Sequence, residues 1–173
     1  MNPTTHDHLQ SALADLCEAA NSLLVAIDDA PVDGRTLLVD RLADSAQEFL
    51  AGTEEAAAAL AGEAGADGAA SRNGRVMACH RCLVEVRDHY SADIATYQRL
   101  SDLSVFASER GKGWPGWARA LRVAIAECQH PLDRAFDAVV GHLAVAQGPD
   151  AGPVTVHSTA IGSVSIPPSG GSS

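Results

Sequence analysis

Apolar residues recur along this chain at helical spacing in four separate stretches. Leu9, Leu13, Leu16, Ala20, Leu23 and Ile27 follow steps of four and three, which places them on one face of a helix. Thr4 or Thr5 can cap its start, Asp7 suits its first turn, and the stretch 28–34 with Pro31 ends it. Leu38, Leu42, Phe49, Ala56 and Leu60 predict a second helix over about 35–62. Val76, Cys79, Leu83, Val86, Tyr90, Tyr97 and Leu100, with Ile94 close by, predict a third over about 75–109. The fourth stripe holds Trp117, Leu121, Ile125, Cys128, Leu132, Phe136, Val139 and Leu143, and passes straight through Pro131. That pattern predicts a continuous helix kinked near Pro131, because proline removes one hydrogen bond and crowds the preceding turn. Two shorter helices, with Pro131 opening the second, are the alternative.

The breaks between stripes are rich in glycine. The stretch 62–74 carries Asp67-Gly68 and Asn73-Gly74, and 110–116 carries three glycines and Pro115. Four stripes on short connections predict an all-α, up-down-up-down four-helix bundle over residues 1–147. Folding the chain about each break sets an expected register: residue 7 beside 56, 79 near 148, and 17, 46, 89 and 138 in one layer. From Gly148 onward 15 of 26 residues are Gly, Pro or Ser and one is charged, so 148–173 reads as a tail outside the bundle. Within it, 154–166 is rich in β-branched residues and partly alternating, as an extended strand is.

Charge changes what such a bundle can meet. The net charge is −10, and residues 1–67 hold 13 acids against Arg35 and Arg41 alone. An acidic face repels nucleic acid and anionic membranes, so neither is an expected partner, whereas the more basic half of a second copy is. No apolar run approaches the ~20 residues of a membrane span, and no basic-then-apolar leader opens the chain. Cys17, Cys79, Cys82 and Cys128 fall in helical patterns instead of loops, which suits reduced thiols and a cytoplasmic location.

Three constellations suggest chemistry. Cys79-His80-Arg81-Cys82 is a C-x-x-C, and the expected register brings His6 and His8 to the same end, a thiolate and imidazole set of the kind that binds zinc. The same register holds Cys128 about 30 Å from Cys79 and excludes it. Glu127-Cys128-Gln129-His130 supplies one E-x-x-H, where a di-iron bundle needs two with further inward carboxylates; Asp15, Glu48, His89 and Asp137 share a layer but lie beside the stripes. Arg75-Val76-Met77-Ala78-Cys79-His80 resembles the Arg-x4-His signature of HEPN nucleases, which are also helical bundles. That resemblance implies Arg75 and His80 acting at an RNA 2′-hydroxyl and its phosphate, and the negative charge opposes it. No resident cofactor is expected.

Two surfaces suggest partners. Arg110, Lys112, Trp114 and Arg119 gather cations and an indole at one break, the residue types that dominate protein-binding hot spots, while Trp117 lies on the stripe and belongs to the core. Trp114-Pro115-Gly116 resembles the Trp-x-Gly turn of small type VII secretion substrates, without their C-terminal signal. In the tail, Val154, Val156, Ile161, Val164 and Ile166 are the candidate contacts of a strand that adds to a sheet edge. Ser158-Thr159-Ala160-Ile161-Gly162-Ser163-Val164 resembles the peptides that load cargo into encapsulin shells. The sequence thus favours a non-enzymatic helical adaptor or scaffold that binds protein partners or itself. The alternative is a zinc or di-iron bundle, carried as encapsulin cargo.

Overall fold

The computed structural model describes residues 4–31, 37–62, 72–102, 114–147, 154–158 and 162–166. Four helices pack against one another: α1 (Thr5–Asp28), α2 (Leu37–Ala61), α3 (Arg72–Asp102) and α4 (Trp114–Gln147). Two short strands follow, β1 (Val154–Ser158) and β2 (Gly162–Ile166).

Each helix forms for local reasons and is held by packing. At the start of α1, the Asp7 backbone N–H donates to Thr4 Oγ1 at 3.3 Å and the Thr4 N–H donates to Asp7 Oδ2 at 2.8 Å. This reciprocal cap satisfies two donors that a helix start leaves unpaired. α2 stops at Gly62, whose φ of +83° is readily available only to glycine. α4 runs unbroken through Pro131 as a single helix.

The four stripes meet in one core. Leu9, Leu16, Leu42, Phe49, Leu83, Leu132 and Phe136 are all but fully buried in it. α2 lies closest to α3: a Cβ on Gly52 would stand 2.9 Å from Val86 Cγ2, so this glycine lets the two backbones approach. Farther along the same interface Phe49 and Tyr90 stack with ring centres 5.9 Å apart. α1 packs along α4, where Asp15 Oδ2 accepts from Arg134 at 2.7 Å. Thr53 is buried without penalty, because its hydroxyl donates to the Phe49 carbonyl at 2.8 Å.

The expected register needs one correction. Tyr90 meets Ile125, Tyr97 meets Ala118 and Asn73 meets His142, which shifts α3 against α4 by about three turns. The sequence reading placed the break at 110–116 and began the fourth helix near Trp117. Instead Trp114-Pro115-Gly116 forms the first turn of α4. Proline is tolerated there, since the N–H it lacks has no acceptor within the helix. Residues 103–113, including the last part of the third helix as read from sequence, lie outside the described residues.

β1 and β2 pair antiparallel, with Val154 opposite Ile166, Val156 opposite Val164 and Ser158 opposite Gly162. The stretch read as one extended strand is therefore two strands of a hairpin.

Candidate functional site

Trp117 organises the end of the bundle where α4 begins. Its indole Nε1–H donates to the Ala26 carbonyl at 2.6 Å. That carbonyl lies in the last turn of α1, where the Ala30 N–H turns to Ile27 at 3.1 Å, so the indole satisfies an acceptor that the helix end leaves open. The Tyr97 hydroxyl donates to the Ala118 carbonyl at 3.3 Å and brings the end of α3 to the same place. Trp117 is buried at 6% exposure, as the stripe implied.

Around this end the surface is unusually apolar. Among the described residues, the exposed large apolar side chains are Val25 at 62%, Leu37 at 79%, Met77 at 45% and Val123 at 47%. Val25 closes α1, Leu37 opens α2 and Val123 lies in the early part of α4, so only Met77 lies elsewhere. Arg119 and Arg122 are exposed on α4, and Trp114 opens α4 at the same end. Arg110 and Lys112 fall outside the described residues.

The tail candidates come together through pairing. Val154 faces Ile166 and Val156 faces Val164 across the ladder, so the register places these four on one face. Ile161 falls outside the described residues. β1 lies against α4.

The histidines and thiols do not gather. His6 lines a groove between α1 and α2, and His8 lines a cleft between α1 and α4 beside Arg134. Residues two apart on a helix point to different sides, which the expected zinc set overlooked. Cys79 is buried, and burial, reinforced by Cys82, pushes its thiol up to about 12. Burial first, then Glu55 and Glu85, also raises the half-buried Cys82. The corrected register brings Cys128 nearer Cys79 than the expected 30 Å, to roughly 12 Å along the axis by the helical rise. Among the described residues, no three His, Cys, Asp or Glu side chains are grouped to hold a metal ion.

The remaining motifs also separate. Glu127 and His130 of the E-x-x-H face solvent. Glu48 Oε2 pairs with His89 Nδ1 at 3.2 Å and Asp15 pairs with Arg134, so the expected polar layer sits on the outside of the bundle. Arg75 lies against Gly62 at the end of α2, while His80 meets the edge of the Phe136 ring on α4, with centres 6.0 Å apart. The Arg-x4-His pair therefore faces two different helices.

One acidic residue lies on the buried face of α3. Asp93 is fully buried on α3, and neither carboxylate oxygen has a hydrogen-bond partner. Burial raises its pKa to about 7; the Ser45 hydroxyl opposes the shift and the charge of Glu48 adds to it. Ser45 has only one proton to give, and it is directed at the His89 carbonyl at 3.4 Å, a long contact. Asp93 also contributes to raising Cys128 to about 12 and to raising Tyr90, although burial is the main cause for both. The core is thus not apolar throughout, as the stripes implied. The signal was present in the steps 86, 90, 93, 97 and 100, which pass through Asp93.

No protein-family model, no curated protein and no solved structure matches this chain. None of the described helices is long and apolar enough to cross a membrane.

Proposed function

We propose that this chain is a non-enzymatic adaptor or scaffold of the cytosol, an up-down-up-down bundle that joins a multi-component assembly through protein contacts. Contact pairs descend one helix as they ascend its neighbour, as in 49 with 90 and 52 with 86, which supports that path. The observation that supports the functional reading is the exposure of Val25, Leu37 and Val123 on the parts of α1, α2 and α4 toward the end that Trp114 opens, with Arg119 one turn from Val123 on α4. Exposed apolar residues together with arginine are the composition of a protein-binding patch. The hairpin supplies a second contact. Its strands carry no charged residue and no proline, the usual guards of a free strand edge, so it suits addition to a partner's sheet or to a second copy.

The zinc or di-iron alternative is separated by metal analysis of natively purified protein. The adaptor reading expects substoichiometric iron and zinc; one or more equivalents per chain overturns it. Removing residues 149–173 is expected to leave the helical circular dichroism unchanged and to lose a subset of captured partners. Retention of every partner by the truncated chain removes the hairpin from the proposal.

A further inference from the structure

The groove between α1 and α2 is built for a ligand that the adaptor reading does not need. Its volume is about 430 Å³, within the ~300–1,000 Å³ of small-molecule sites. It exists because the wall on α2 is made of Ala57 and Ala58, whose side chains are too short to reach across to α1. Leu13 and Leu60 give it an apolar lining.

Three polar groups line this apolar trough. His6 Nδ1 is buried and has no hydrogen-bond partner. Gln10 and Glu54 line the same groove with exposed side chains. A buried ring nitrogen left unbonded costs free energy that a ligand atom can recover. Glu54 gives the groove a formal negative charge, and its effect is felt across it: after burial, Glu54 is the second cause raising the Cys17 thiol. The acids of residues 1–67 add to this field, and low-dielectric walls focus it.

His6 and Glu54 also lie toward opposite ends. The charge of Glu54 acts on Cys17, which lies about three turns along α1 from His6, so Glu54 sits farther along the groove than His6. We infer that this groove binds a small organic monocation, an amine with an apolar body and a polar substituent at its far end. The ammonium pairs with Glu54, the body lies on Leu13, Leu60 and Ala58, and the distal group bonds to His6 Nδ1.

Tyramine is a suitable probe, with three relatives as controls: 2-phenylethylamine lacks the hydroxyl, 4-ethylphenol lacks the ammonium, and 3-(4-hydroxyphenyl)propanoate reverses the charge. Backbone amide shifts of the full chain are followed by NMR during titration. Saturable tyramine shifts confined to residues 6–17 and 54–61 are expected, with weaker binding of 2-phenylethylamine and none of the two uncharged or anionic compounds. Glu54→Gln is expected to weaken tyramine about tenfold or more, as loss of a charge-assisted bond implies. Ala58→Leu is expected to abolish binding by filling the groove; Glu54→Gln, which fills nothing, keeps the test valid if that variant misfolds. Equal binding of the phenol or the carboxylate, shifts mapping elsewhere, or no shift at millimolar tyramine each overturns the inference. So does a concentration-dependent shift of the same residues without probe, accompanied by a doubled mass in light scattering, which assigns the groove to a second copy.

Discussion

Replacing Asp93 with Asn removes most of the pH dependence of stability between about pH 4 and pH 7. The carboxyl has a pKa of 3.8 in the unfolded chain and about 7 in the folded one, so the folded state holds its proton more tightly. Below the unfolded value both states are protonated and the group has no differential effect. As pH rises through the window the unfolded chain ionises first, and stability falls until the folded carboxyl ionises too. The loss is on the order of 4 kcal/mol, complete above about pH 7. Half-buried Asp133, raised first by burial and then by Asp137, slopes the same way, so the comparison of wild type with variant isolates Asp93. Urea unfolding at pH 5 and pH 8 makes the measurement. Wild type is expected to lose several kcal/mol between them, and Asp93→Asn to lose far less. Asp93→Leu is expected to exceed wild type at pH 8, since it replaces an unpartnered buried charge with an apolar side chain. Parallel pH profiles for wild type and Asp93→Asn contradict the assignment.

The second large effect is at Trp117. Trp117→Ala is expected to cost about 3–5 kcal/mol, by emptying the space that the indole fills between α1 and α4. Trp117→Phe keeps much of the apolar contact but leaves the Ala26 carbonyl without the indole donor, at about 1–3 kcal/mol. Thermal and urea unfolding check both values. Trp114→Ala provides the contrast, because Trp114 opens α4 ahead of the stripe and is proposed as an interface residue. A loss at Trp114 equal to that at Trp117 is incompatible with dividing the two indoles between surface and core.

The four helices were legible because their burial is periodic. Every stripe residue from Leu9 to Ile27 is buried in α1, and Leu121, Cys128, Leu132 and Val139 are buried in α4. Pro131 did not divide that stripe, because packing on both sides of it holds the helix together. Register was less legible, since it depends on where a turn ends. Trp114-Pro115-Gly116 has loop composition, yet Pro115 fits a first helical turn, and placing the break too late moved α4 by about three turns.

The candidate site was legible only in part. Trp117 and the strand-like tail follow from composition and pattern. The hairpin pairing of Val154 with Ile166 depends on a turn that three valines and two isoleucines do not specify. Asp93 was hidden by its neighbour: Ile94 is apolar, and a pattern that seeks apolar residues prefers it. The groove depends on what Ala57 and Ala58 lack, and that shows only when a second helix is placed opposite. Exposure at Val25, Leu37 and Val123 is invisible in sequence, where each reads as one more apolar residue.

The adaptor reading is tested most directly by quantitative capture of partners on the full chain and on two surface variants, Trp114→Ala and Val123→Asp, each with helical content confirmed by circular dichroism. The expected result is that the same set of proteins falls by tenfold or more with both variants while the fold is retained. Undiminished capture by both folded variants contradicts the claim that the Trp114 end is where this bundle meets its partners.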